Sequence, residues 1–118
     1  MSWTFNTKVY TADQYGLDAV GYAGVLKTLT VADDLQLSRV PAKPTSVFSG
    51  VSRTQAKMTR TLTLTGALTP TGKAILSINV SIPVGAASAD IDALLNDMGA
   101  ALSHANFKTH VKSLQLTF

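Results

Sequence analysis

Residues 57–65 read Lys-Met-Thr-Arg-Thr-Leu-Thr-Leu-Thr, and this alternation constrains the chain more than any other feature. Even positions hold Met58, Leu62 and Leu64, while odd positions hold Lys57, Thr59, Thr61, Thr63 and Thr65. Successive side chains of a strand point to opposite faces, so a period of two predicts a strand with one buried and one polar face. Threonine suits such a pleated, half-buried surface. Arg60 breaks the apolar parity, which predicts a place near the sheet's edge or a charge partner. Residues 66–72, with Gly66, Pro70 and Gly72, read as a turn. The alternation then resumes: Ala74, Leu76, Ile78, Val80, Ile82 and Val84 share one face, and Lys73, Ile75, Ser77, Asn79 and Ser81 the other. Two such strands across a short loop make an antiparallel hairpin. Pro83 falls at the strand's end, where its missing N–H is tolerated.

The period then lengthens. Ile91, Leu94, Leu95, Met98 and Leu102 recur at helical spacing, which predicts an amphipathic helix over 89–103. Ser88 is placed to cap it, and Asp90 and Asp92 fall in the first turn, where negative charge suits the helix dipole. The tail from Val111 alternates Leu114, Leu116 and Phe118, a pattern open to extended chain or a short helix.

The N-terminal half is less patterned. Trp3, Phe5 and Val9 predict a first strand, with Tyr10 on the opposite parity; residues 13–24 are turn-rich. Val25, Leu29 and Val31 predict a second strand ended by Asp33-Asp34, and Leu35 and Leu37 begin a third. Residues 39–44, with two prolines, form a loop. Val47, Phe48 and Val51 predict another strand before a turn at 52–55. Five or six strands followed by one helix and a short tail indicate an α+β fold built on a multi-stranded antiparallel sheet. No linker or repeat divides the chain, so 118 residues read as one domain, with a sheet over 3–84, a helix over 89–103 and a short tail.

One such helix covers only part of a sheet, and composition points the same way. Hydrophobic residues make up 46% of the chain and charged residues 14%, well below the ~25% of ordinary soluble domains, as expected of a surface hidden in an assembly. All seven acids are Asp, and none lies between residues 35 and 89. That interval carries Arg39, Lys43, Arg53, Lys57, Arg60 and Lys73, which would attract phosphates if they shared a face.

Catalysis and metal binding find little support. There is no cysteine, so disulfide and thiol chemistry are excluded. His104 and His110 lack the convergent third and fourth ligands a metal needs, and read as surface or interface histidines. No nucleophile elbow accompanies any serine, and Gly21-Tyr22-Ala23-Gly24 is not followed by the Lys and Ser/Thr of a phosphate loop. No apolar run is long enough to span a membrane, and residues 1–4 lack the marks of a secretory signal. No cofactor and no small-molecule substrate is implied.

The last strand, Leu76-Ser77-Ile78-Asn79-Val80-Ser81-Ile82-Pro83-Val84, followed by a small polar linker and an amphipathic helix, resembles the coat proteins of the small single-stranded RNA bacteriophages, the levivirus family. Ser52-Arg53-Thr54-Gln55-Ala56-Lys57 resembles the basic turn that precedes the family's central strands. The resemblance covers residues 45–103 best and is loose over 1–44; the family's second C-terminal helix is hard to see in 109–118. It implies an N-terminal hairpin plus about five further strands before the C-terminal amphipathic helix, and an intertwined homodimer that assembles a T=3-like icosahedral capsid around a single-stranded RNA genome. It also implies binding of an RNA hairpin, translational repression in some relatives, and a location in the virion after synthesis in the bacterial host cytoplasm. Carried over residue by residue, RNA would meet Arg53, Lys57, Thr59, Thr61, Thr63, Ser77, Asn79 and Ser81, and the dimer interface would take Ile91, Leu94, Leu95, Met98 and Leu102. Ile75 stands where several relatives stack a base on an aromatic ring. Two other readings of the residues are a dimeric RNA-binding regulatory module and a small phage tail or decoration subunit.

Overall fold

The computed structural model describes residues 2–45, 47, 50–66 and 68–117. Six strands form one antiparallel sheet in which every neighbour in sequence is a neighbour in space: β1 (Ser2–Phe5), β2 (Lys8–Tyr15), β3 (Ala19–Ala23), β4 (Asp33–Val40), β5 (Val51–Thr63) and β6 (Thr71–Pro83). Two helices follow, α1 (Ser88–Ser103) and α2 (Ala105–Ser113). The chain divides into two compact units, residues 1–84 and 85–118, which hold the sheet and the helices respectively.

The alternating segments pair as their pattern requires. β5 and β6 are each 13 residues long and run in register from Val51↔Pro83 to Thr63↔Thr71. Met58 faces Leu76 on one side and Leu35 on the other, and Leu35 faces Tyr22, so one apolar row crosses four strands. Leu37, Ala56 and Ile78 form the next row. Leu35 is buried, a contribution of about 2 kcal/mol. Most other members of this apolar face stay half-buried, and Leu62 and Leu76 are exposed.

Several N-terminal expectations are corrected. Residues 3–10 are two strands, because Asn6 and Thr7 both take positive φ (51° and 61°) in a two-residue hairpin turn. Tyr10, on the second of these strands, is fully buried and stacks on Phe5, with ring centroids 4.8 Å apart and planes 2° apart. The turn-rich segment 13–24 contains the end of β2 and all of β3, with an irregularity in register between Ala12 and Gln14. Val25, Leu29 and Val31 lie in the β3–β4 loop, not in a strand, and Asp33-Asp34 opens β4. Residues 52–55 belong to β5 rather than to a turn, and Phe48 falls outside the described residues. Among the described residues the N-terminal hairpin is followed by four further strands.

In the helical unit, Ile91, Leu94, Leu95, Met98 and Leu102 lie on α1 as the spacing predicts. The cap differs: Ala87 is the N-cap and makes no side-chain hydrogen bond, so Ser88 opens the helix instead of capping it. Of the acids only Asp90 is in the first turn, because the start falls one residue earlier than predicted. The tail is helical over Ala105–Ser113; Phe118 lies outside the described residues. α2 begins on an unconventional cap, His104, whose Nδ1 accepts from the Asn106 backbone N–H at 3.0 Å. It ends on Leu114 in the left-handed conformation (φ 59°).

Candidate nucleic-acid interface

The period of two sorts the sheet's side chains onto two faces. Met58 and its neighbours take one face, so residues one step away along each strand take the other. On that second face β5 contributes Arg53, Gln55, Lys57, Thr59, Thr61 and Thr63; the pairs Arg53↔Ser81, Gln55↔Asn79, Lys57↔Ser77 and Thr61↔Lys73 add the polar parity of β6. All eight residues predicted to meet RNA therefore share one face. Lys73, opposite Thr61, extends it; its position on the polar parity of β6 is the signal that marks it. β4 adds Gln36 beside Lys57 and Asp34 beside Thr59.

The face has relief. A polar hollow of about 270 Å³ is lined by Lys57, Thr59, Gln36 and Asp34 on one side and by Asp13, Gln14 and Lys27 on the other. Gly21 contributes no side chain, and a Cβ there would stand 3.3 Å from that of Gln14. Lys27 bridges Asp34 at 2.8 Å and Asp13 at 3.4 Å. The hydrogen bond and charge of Asp34, with a smaller contribution from Asp13, hold the Lys27 pKa above the ordinary lysine value. This exposed contact is at full strength below the ordinary lysine pKa and is lost as pH rises through the raised one. A second depression, of about 240 Å³, is lined by Arg53, Asn79 and Ser81 together with Arg39, Thr54 and Val80 of the apolar parity, so it does not belong to the polar face alone.

The central cations do not form one surface. Arg39 and Arg60 have the parity of Leu37 and Met58 and lie on the apolar face. Both are neutralised there. Arg39 Nε donates to Asp18 Oδ1 at 3.2 Å and Arg60 Nε to Asp33 Oδ1 at 3.4 Å. Arg60 has the charge partner its broken parity predicts. Its Nη2 also donates to the Tyr10 hydroxyl at 2.8 Å, and that hydroxyl donates to Asp33 at 3.4 Å. Burial alone would push the Arg60 pKa down; Tyr10 and Asp33 outweigh it and hold the value above the ordinary arginine range. Sequence reasoning missed Asp33, whose partner lies 27 residues away.

Not every hydroxyl on the polar face is available to a ligand. Thr61 Oγ1 accepts from the Ala32 N–H at 2.8 Å, and the Thr61 N–H donates to the Ala32 carbonyl at 2.9 Å. Thr61 thereby ties the β3–β4 loop to β5. Arg53, Ser77, Asn79 and Ser81 are exposed, while Lys57 and Thr59 are half-buried at the hollow's wall. The arrangement offers cations with small hydroxyl and amide groups between them, suited to phosphate and sugar oxygens and to base edges. Ile75, 60% exposed on this face, offers apolar surface but no aromatic ring.

No protein-family model matches the sequence, and no curated protein sequence matches it. Solved structures do. The virus-like particle of Beihai levi-like virus 32 superposes with a TM-score of 0.82 at 15% identity, covering 96% of this chain and 91% of that one. The virus-like particle of bacteriophage AVE019 gives 0.75 at 15% identity over 100% of this chain and 96% of that one. The bacteriophage EMS014 coat protein gives 0.60 at 17% identity over 83% and 65%. The chain has the fold of these particle proteins. The likeness spans both the sheet and the helical unit, and so reaches well beyond residues 45–103, where the sequence resemblance is best. The hairpin β1–β2, which the resemblance implies, and the second helix α2, hard to see in the sequence, belong to the part of the chain that this shared fold covers.

Proposed function

We propose that this chain is a viral coat protein that dimerises and assembles a closed icosahedral shell, T=3-like in geometry, around single-stranded RNA. The observation that carries this reading is the likeness to virus-like-particle proteins over nearly the whole of both chains. Three features of the fold support it. Among the described residues β6 pairs only with β5, so its other edge leaves backbone groups over 13 residues ready to pair with the same strand of a second copy. Leu94, Leu95 and Met98 on α1 are 54%, 48% and 51% exposed in the single chain, and the apolar face of the sheet is incompletely covered. A second copy that lays its helices on that face covers both surfaces at once.

In the dimer the polar faces of two sheets become one continuous surface. Arg53, Lys57 and Lys73 release counterions from the RNA backbone, and Thr59, Ser77, Asn79 and Ser81 bond phosphates, sugars or bases at close range. A hairpin suits such a surface, because its loop bases can splay onto the sheet while its stem phosphates meet the cations. Holding one would also block translation from it. The work of the protein is binding and assembly, without turnover.

The test is to express the chain alone and examine it by size exclusion, absorbance ratio and negative-stain microscopy. Uniform spherical particles with nucleic-acid absorbance are expected. A small species free of nucleic acid, at every salt and protein concentration, would reject the shell.

A further inference from the structure

The alternate connections of an antiparallel meander fall at one end of the sheet, so the Asn6-Thr7 turn, the β3–β4 loop and the β5–β6 connection lie together. The β3–β4 loop, residues 24–32, is well tied down for a long surface connection. The Gly24 N–H donates to the Asp33 carbonyl at 2.7 Å, and the Thr28 N–H to the Val31 carbonyl at 2.9 Å. The Val31 N–H returns to Thr28 Oγ1 at 3.1 Å, and Ala32 is bonded twice to Thr61. On this braced loop Val25 and Leu26 are exposed, and Leu29 is 106% exposed. Leu68, on the β5–β6 connection at the same end, is equally bare at 106%.

Charge narrows what can meet this tip. Residues 61–72 contain no charged side chain, and the β3–β4 loop holds only Lys27, already engaged by Asp13 and Asp34. The cations at this end, Lys8 beside the Asn6-Thr7 turn and Lys73 near the start of β6, lie on the strands and not on the β3–β4 loop, so two copies of that loop meet without like-charge repulsion. The opposite end also exposes Leu17 and Val47, but among Asp18, Arg39 and Lys43.

We propose that the β3–β4 loop, with Leu29 at its tip, is a contact surface between neighbouring copies of this chain. It rests on the coat-protein reading, which requires contacts between dimers as well as within them. The bracing matters because a loop already ordered in the free protein gives up little conformational entropy when its leucine is buried by a neighbour.

The test compares Leu29→Lys and Leu29→Met with the wild type. For each, the melting temperature, the size of the smallest stable species, retention of a single-stranded RNA oligonucleotide and the concentration at which particles form would be measured. Leu29 makes no contact that folding needs, so the same melting temperature and RNA-binding dimers are expected from all three. Leu29→Lys should raise the concentration required for assembly about tenfold or more, or change particle diameter, since one lost leucine burial weakens association by that factor. Leu29→Met should assemble like the wild type. Particles of unchanged size from Leu29→Lys at the wild-type concentration would overturn the inference and leave the coat reading intact. No particles from the wild type would overturn the coat reading, and this inference with it.

Discussion

Asp33 shows how one buried carboxylate organises three strands. It is fully buried at the start of β4 and accepts from Arg60 of β5 and from Tyr10 of β2. The Leu26 N–H donates to its other oxygen at 3.4 Å. Replacing Arg60 by Met should therefore cost about 3 kcal/mol, because the buried charge loses its counter-ion; urea unfolding of the dissociated protein reads it. Gly24 belongs to the same site. A Cβ there would run into the Asp33 carboxylate, well inside van der Waals contact. Gly24→Ala should destabilise by about 2 kcal/mol, as overpacking does, and loosen the β3–β4 loop, which amide exchange at Ala32 would report. At this scale half of the pairing was legible. Arg60 advertises a missing partner because it interrupts an apolar parity. Asp33 does not, because an Asp-Asp pair between two apolar runs looks like a turn, and its partners lie 23 and 27 residues away.

Among the elements, legibility follows amphipathic contrast. β5, β6 and α1 each separate apolar from polar side chains; β6 and α1 are found close to their predicted spans, while β5 starts six residues earlier than its alternation predicts and absorbs the turn expected at 52–55. β3 was hidden by its content, Ala-Val-Gly-Tyr-Ala, which carries no polar alternation. The β3–β4 loop misled in the opposite sense, since Val25, Leu29 and Val31 repeat at strand-like parity but are held in a loop by hydrogen bonds to Thr28 and Asp33. α2 lacks the usual signals at both ends: its start is capped by a histidine ring and its stop is a leucine at φ 59°. That stop is strained, because left-handed backbone costs an ordinary side chain about 1 kcal/mol that glycine avoids. Leu114→Gly should consequently stabilise the helical unit by up to about 1 kcal/mol, seen as a higher melting temperature.

At the scale of the whole molecule, the sequence shows a basic centre and the fold divides it. Arg39 and Arg60 are spent on Asp18 and Asp33 on the apolar face, leaving Arg53, Lys57 and Lys73 to give the polar face its charge. The alternation of β5 already sets Arg60 apart from Lys57, but Arg39, read in the sequence as part of a loop, is placed only by the register of β4 against β5. The two faces should therefore fail separately when mutated. Leu95→Asp places a charge in the proposed seam between copies, and since Leu95 is exposed in the single chain it should leave that chain folded while abolishing the dimer in size exclusion. Arg53→Ala with Lys57→Ala should do the reverse. Arg53 is exposed and neither cation has an ion-pair partner among the described residues, so dimers and melting temperature should be preserved. RNA content should fall, and the dependence of binding on salt should flatten by about 0.7 in log–log slope for each phosphate contact removed. Binding titrations of a single-stranded RNA across salt concentrations measure that slope directly. An unchanged slope would mean that the RNA lies elsewhere on the protein, whereas a reduced slope with intact dimers would tie the polar face of β5 to the genome independently of how the shell closes.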